Sequence, residues 1–213
     1  AIAISNTKLT EDETRKLIDE QLRRVGWEVD THNLRYSKGT RPQKGKKIAI
    51  AEWPVNSPTS KDHRADYALF IDEKLIGIIE AKSYEKSVYS IIDNQCNEYA
   101  KNIKDEDEKY LLGKWGKYQV PFVFATNGRP YLKQIETEYG IWFQDLRKET
   151  NNPIALQGWY SPEDLMAKFT QNVDEADQKL SNLPYDFLRD PDGLNFRHYQ
   201  LSAVEAVEKA VIN

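Results

Sequence analysis

The chain has 213 residues and a mass of 24.8 kDa, room for one ordinary domain and part of a second. Hydrophobic residues make up 39% and charged residues 30%, with a mean hydropathy of -0.73, which excludes a membrane-embedded or a disordered chain. The lone cysteine, Cys96, and three scattered histidines, His32, His63 and His198, exclude a disulfide framework and the clustered ligands of a zinc site. No apolar run approaches the ~18–20 residues of a membrane span, and the opening AIAISNTKLTEDETR lacks a basic n-region, so the expected compartment is the reducing cytoplasm. A net charge of -4 means that any nucleic acid must be met by a local basic patch.

Residues 10 to 25 read as a helix: Thr10 caps it, Glu11, Asp12 and Glu13 fill the first turn, and Thr14, Leu17, Ile18, Gln21, Leu22 and Val25 form a stripe that Gly26 ends. RYSKGTRPQKGKK, 35 to 47, follows as a basic loop carrying Arg35, Lys38, Arg41, Lys44, Lys46 and Lys47 with no acid. Two readings stay open for it: a solvated loop, or a DNA-phosphate contact. It is not a phosphate-binding loop, because the glycine spacing is wrong and Lys47 stands where Ser or Thr is required. Strands are expected at 46–55, 66–71 and 75–81, the last two joined as a hairpin about Glu73. A helix at 87–103 follows, with Val88, Ile91, Ile92, Cys96, Ala100 and Ile103 on one face; the acidic run 105–108 then reads as a loop. VPFVFATNGRPYL, 120–132, reads as a buried strand turning at Asn127-Gly128, and 141–146 as a further short element. A helix at 161–180, a turn-rich connector at 183–193 and a helix running uncapped to the terminus complete the series, from which a longer natural chain is expected.

The acid-x-Lys pattern occurs four times, but only Glu80-Ala81-Lys82 ends an apolar strand. Side chains alternate along a strand, so Glu80 and Lys82 share a face. With cross-strand partners summing to 146, Asp66 falls opposite Glu80. Facing carboxylates need a compensating cation. An ion pair with Lys82 answers that need, and so does a divalent metal, for which oxygen ligands favour Mg²⁺ or Mn²⁺. On the next helix Gln95 and Tyr99 lie i, i+4 beside the apolar stripe and turn toward the sheet.

Arg64-Ala65-Asp66-Tyr67, Ile79-Glu80-Ala81-Lys82 and Gln95-x-x-x-Tyr99 together resemble the PD-(D/E)xK nuclease core of the restriction (R) subunits of Type I restriction-modification enzymes. TEDETRKLIDEQLRRVGWE and VPFVFATNG are similar to that family's N-terminal domain, and LNFRHYQLSAVEAVEKAV resembles the lead-in to its translocase motor. One departure is Ala65, where the signature has proline.

The resemblance implies an α/β fold with a mixed sheet flanked by helices: a nuclease domain over 1–150, a helical connector over 151–193 and the start of a motor over 194–213. It implies Mg²⁺-dependent cleavage of double-stranded DNA, with Asp66, Glu80 and the Ala81 carbonyl as metal ligands. Lys82 would orient or deprotonate the attacking water, and Gln95 and Tyr99 would position the scissile strand or the lysine. A further acid is expected from the first helix, Glu11 or else Glu20. Implied partners are DNA and the modification and specificity subunits, with no membrane, and ATP would serve only the missing motor, since no Walker A motif is present. A stand-alone nuclease of the same core and a catalytically idle DNA-binding module are the competing readings.

Overall fold

The computed structural model describes residues 9–56, 63–83, 88, 92–129, 140–148, 150–171 and 186–212. It divides into two compact units, 1–166 and 167–213. Helix α1 (Glu11–Arg24) starts on a capping box: Glu13 N–H donates to Thr10 Oγ1 at 3.2 Å and Thr10 N–H donates to Glu13 Oε2 at 2.8 Å. It stops where Gly26 takes φ 102°, letting Gly26 N–H reach Arg23 O and Trp27 N–H reach Leu22 O, the arrangement that satisfies the last carbonyls.

The first unit is built on one mixed sheet of seven strands in chain order: β1 (Glu28–Val29), β2 (Lys47–Pro54), β3 (Arg64–Ile71), β4 (Lys74–Ala81), β5 (Phe122–Thr126), β6 (Ile141–Asp145) and β7 (Ile154–Leu156). β1–β2 and β4–β5 pair in parallel and the other neighbours antiparallel. A parallel β4–β5 pair needs a crossover. It contains a π-helical turn, Ile92–Cys96, running into α2 (Asn97–Lys101), and a 3₁₀ turn, Asp105–Tyr110. The expected single α-helix over 87–103 is therefore broken, with 84–87 and 89–91 outside the described residues, and the acidic run read as a loop is the 3₁₀ turn. Tyr110 at its end packs on Trp53 and Phe70, and of the acids Asp105, Glu106 and Glu108 are exposed while Asp107 is buried.

The apolar stripe is buried as expected: Val88, Ile92, Cys96, Ala100 and Ile103 pack with Ala68, Phe70, Ile78 and Val123 of the sheet. β5 is buried throughout, and β4 from Leu75 to Glu80, so the central strands are covered on both faces. The sheet continues past residue 150 through β7, and the first unit extends accordingly into α3 (Pro162–Thr170). The rest of the helix expected over 161–180 lies outside the described residues. The second unit holds α4 (Asp186–Arg189) and α5 (His198–Ile212), with Leu188 and Leu201 buried. No helix among the described residues is long and apolar enough to cross a membrane.

Candidate active site at the end of the central strands

The hairpin that carries the acids reaches its register by two compensating steps. The turn is Asp72-Glu73, with Asp72 at φ 54°, so Ile71 pairs with Lys74 and Phe70 with Leu75. That tight turn alone would set Asp66 against Ile79. A bulge restores the frame: Leu69 pairs with Gly77, Ala68 with Ile78 and Tyr67 with Ile79, and the next position brings Asp66 beside Glu80.

Asp66 and Glu80 line an open cleft of about 450 Å³ together with Arg15, Glu52, Gln95 and Tyr99. Asp66 Oδ2 accepts the Ala81 N–H at 2.7 Å, and Asp66 Oδ1 accepts Arg15 Nη2 at 2.6 Å. Lys82 Nζ stands 2.5 Å from Glu80 Oε1. Glu80 Oε2 is buried with no hydrogen-bond partner. Burial, and then the neighbouring Asp66 charge, push the Glu80 carboxyl up to about 8, against the pull of Lys82. Burial also raises Asp66, and Arg15 opposes it. The two carboxyls are thus held at close quarters, where burial and their mutual charge disfavour ionising both.

Gln95 Nε2 donates to Tyr99 Oη at 3.0 Å, and both come from the helical segment under the sheet. Tyr99 is 4% exposed; burial first and the Glu80 charge second raise its phenol, which keeps it neutral as a hydrogen-bonding group. Cys96, one turn away, is buried, its thiol 3.4 Å from the Phe124 carbonyl, and burial raises its pKa as well, so it is a packing residue.

The expected helix-borne acids do not enter the cleft. Glu20 pairs with Arg24 on the surface at 3.7 Å, and Glu11, 77% exposed, pairs with Arg15 at 3.1 Å. What α1 sends to Asp66 is Arg15, whose guanidinium also lies 3.8 Å from Glu52. Glu52 in turn meets Arg35 and, at 3.3 Å, Arg64. It sits in β2 at φ 54°, a conformation rare for a residue with a side chain, which interrupts the ladder between Ala51 and Trp53.

One turn further along α1, Asp19 is buried and satisfied three times: by Thr31 N–H at 2.7 Å, Thr31 Oγ1 at 2.7 Å and Tyr67 Oη at 2.9 Å. Gly128, at φ 73°, passes against Leu17, Ile18 and Thr14, and its carbonyl accepts Gln21 Nε2 at 2.8 Å. These contacts lock α1 over the tops of β3 and β5. Arg15, Asp19, Glu52 and His63 lie outside the motifs that point to the site, and Arg64 enters them without a role of its own. A signal for the first two existed: Glu11, Arg15 and Asp19 recur every four residues, a polar stripe beside the apolar one.

The basic loop divides. Arg35 comes to the cleft end of β2 through Glu52. Arg41 lies over the Tyr36 ring at 3.6 Å and donates to the Tyr36 and Thr40 carbonyls. Lys46 pairs with Glu28 at 2.8 Å, Lys47 with Glu163, and Gly45 N–H donates to Asp72 of the hairpin turn at 2.6 Å. Lys47 therefore sits at the opposite end of β2 from Glu52, about 17 Å away at ~3.4 Å per residue, and residues 44–46 precede it. Lys38 and Lys44 are exposed.

The Asp66 and Glu80 side chains offer oxygen donors, and one of these, Glu80 Oε2, is buried with no hydrogen-bond partner, which fits a hard divalent cation. No group of three or more His, Cys, Asp or Glu is assembled among the described residues, so a cation here would complete its shell with backbone, water or phosphate oxygen.

Residues 28–169 match the family model described as the second domain of the Type I restriction enzyme EcoKI endonuclease subunit. The Type I restriction enzyme EcoKI endonuclease subunit of Escherichia coli (strain K12) is 35% identical over 235 aligned residues, which take in 99% of this chain and 20% of that relative. The chain thus spans about a fifth of the relative's length. No solved structure matches. The α/β sheet and the helix-capped cleft described above fall within the aligned region, and the chain belongs to the family of Type I restriction enzyme endonuclease subunits.

Proposed function

We propose that this chain is the metal-dependent nuclease module of a Type I restriction subunit, with a PD-(D/E)xK core that hydrolyses phosphodiester bonds of double-stranded DNA. The observation that carries the reading is the convergence of Asp66, Glu80 and Lys82 at one strand end, with an orphaned carboxylate oxygen among them. Asp66, Glu80 and the Ala81 carbonyl would hold Mg²⁺ or Mn²⁺. Such a cation supplies Lewis acidity toward the scissile phosphate and neutralises charge that builds there.

The chain's own residues do the rest. Lys82, anchored on Glu80, places a cation beside the attacking water and can hold or take its proton. Gln95 and Tyr99, hydrogen-bonded to each other in the cleft, orient the strand and Lys82. Arg35 and Arg64, gathered by Glu52, would take backbone phosphates at the cleft, while Lys38, Arg41, Lys44, Lys46 and Lys47 would meet the duplex farther from the site. Intact Asp66, Glu80 and Lys82 speak against an idle DNA-binding module. The wider role follows the family resemblance: a cytoplasmic complex with modification and specificity subunits, and an ATP-driven motor carried by another part of the subunit.

The test is Asp66→Ala in the intact protein. Mn²⁺ should raise the melting temperature of the wild type, because a ligand bound by the native state alone stabilises it. The variant should lose both that rise and metal-dependent DNA cleavage while remaining folded. An undiminished rise in the variant would remove Asp66 from the ligand set.

A further inference from the structure

Arg15 occupies the position from which Asp66 must be approached. Its Nη2 lies 2.6 Å from Asp66 Oδ1, and its side chain is 15% exposed. A charge-assisted hydrogen bond of that length, in a partly desolvated site, is among the stronger polar contacts available to a carboxylate. A divalent cation placed on the same carboxylate would stand a few ångströms from the guanidinium, and like charges at that separation in a low-dielectric setting repel strongly. Arg15 and the cation cannot both sit at full strength on Asp66.

The guanidinium has somewhere else to go. Glu11 lies 3.1 Å from Nη2 and Glu52 lies 3.8 Å from Nη1. Arg15 and Glu52 also line an adjoining depression of about 490 Å³ with Thr10, Thr31, His32 and Arg35, so the side chain stands at the junction between it and the cleft over Asp66. A change of side-chain rotamer moves the fork from Asp66 into that depression without stranding it, since Glu11 and Glu52 already flank it. The fork geometry that suits a carboxylate suits a phosphate equally.

We propose that Arg15 is a tethered counter-ion to Asp66 that a divalent cation displaces, and that the displaced guanidinium then binds a backbone phosphate of the DNA. This rests on the reading of Asp66 as a metal ligand. Metal and DNA binding are then coupled through this side chain as well as through phosphate oxygens in the cation's shell, and the coupling must be reciprocal: each ligand raises the affinity for the other by the same factor. Before the cation arrives, Arg15 holds the acidic pair in place; afterwards it adds one phosphate contact.

Two measurements in the intact protein test this, neither of them a cleavage assay. Mn²⁺ affinity without DNA is read by calorimetry, and duplex affinity with and without Ca²⁺ by fluorescence anisotropy, the DNA being checked as uncut afterwards. In Arg15→Gln and in Arg15→Met, which keeps the stem's packing, Mn²⁺ should bind at least fivefold more tightly than to the wild type. The gain in duplex affinity that Ca²⁺ confers on the wild type should shrink at least twofold, the remainder being what phosphate oxygens in the cation's own shell supply, and the salt slope measured with Ca²⁺ should fall by about one. A readout that needs no variant is the Arg15 guanidinium NMR signal, whose protons should exchange faster with water as Mg²⁺ is added. Unchanged Mn²⁺ affinity in both variants, or a guanidinium signal indifferent to Mg²⁺, while Asp66→Ala loses the metal, would overturn the exchange and leave Asp66 as a ligand. Wild-type Mn²⁺ affinity in Asp66→Ala would overturn the ligand reading and the exchange with it.

Discussion

At the scale of single residues, the chemistry turns on how much negative charge the cleft can tolerate. Glu80 is 4% exposed, and its folded carboxyl is pushed up to about 8 from the ordinary 4.5. Between those two pH values the native state retains a proton that the unfolded chain has lost. The contribution of Glu80 to stability is therefore fully present below about 4.5 and is lost as pH rises toward 8, by at most about 1.4 kcal/mol per pH unit. Glu80→Gln keeps an acceptor for Lys82 and removes the titration, so denaturant melts between pH 5 and 8 should show a flatter stability profile than the wild type. A variant that loses stability with pH as steeply as the wild type would place the burden on another group. Lys82 separates chemistry from fold. It contacts Glu80 at 2.5 Å and is one-fifth exposed. Lys82→Ala removes a positive charge that competes with a bound cation, so metal affinity should hold or rise, whereas DNA cleavage should fall by about 10²-fold or more, the scale of a lost proton-transfer group. If Lys82 served only as an ion-pair partner, the variant would melt lower and cut normally. Gln95→Ala should show a milder loss, since Gln95 orients groups and carries no charge.

At the scale of elements, much was written in local pattern. Alternation and a short apolar run announce β3 and β4, the i, i+4 spacing turns Gln95 and Tyr99 toward the sheet, and Asn127-Gly128 marks a turn that the backbone takes at φ 73°. The pairing of Asp66 with Glu80 was also legible, though for an incomplete reason: the turn is one residue tighter than the sequence suggests, and the β4 bulge takes up the difference. Bulges leave little compositional trace, because the extra residue is an ordinary strand former. The break in the helix at Ile92–Cys96 was hidden for a similar cause, since a π turn keeps the same apolar residues on the buried side. Arg15 and Glu52 were missed because their partners are distant in sequence: Arg15 and Asp66 stand 51 positions apart, and no spacing rule joins an α1 cation to a β3 acid. The division of the basic loop between the two ends of β2 was not legible, because charge density along a sequence says nothing of which end of a strand each residue occupies. Two predictions belong here. Neutralising Lys44, Lys46 and Lys47 should cost under about 1 kcal/mol of stability for each exposed ion pair lost. It should also lower the salt slope of duplex binding less than Arg35→Gln with Arg64→Gln does. The reverse ranking would return the duplex to the far end of β2. For α1, Asp19→Ala strands the Thr31 and Tyr67 donors and should cost on the order of 2–4 kcal/mol in a urea melt. Because the same contacts set Arg15 over Asp66, this change should disturb the metal response too.

At the scale of the whole molecule, the cleft is assembled from α1, the ends of β2, β3 and β4, and the segment from Ile92 to Lys101, all within residues 1–166. Its supports lie there as well: Asp19 with Thr31 and Tyr67, Gly128 against α1, and Trp159, whose indole donates to Gln21 Oε1 at 3.0 Å. The seven strands of the open sheet likewise all lie within that unit, with β7 paired to β6 and Phe143 packed at a tilt against Phe122 and Phe124. The second unit buries Leu188 and Leu201 but leaves Phe187, Leu194, Tyr199 and Val207 largely exposed. A site that draws every charged group from one compact unit should survive removal of the other. Deleting 172–213, which spares α3 whole, should leave a single cooperative unfolding transition and an unaltered Mn²⁺-dependent rise in melting temperature, both read by calorimetry. Arg15→Gln in the shortened chain should sharpen Mn²⁺ binding as it does in the intact protein. Loss of the metal response on deletion, with the helical and sheet signals of the first unit preserved, would show that the cleft borrows a group from residues 172–213 and that the ligand set named here is incomplete.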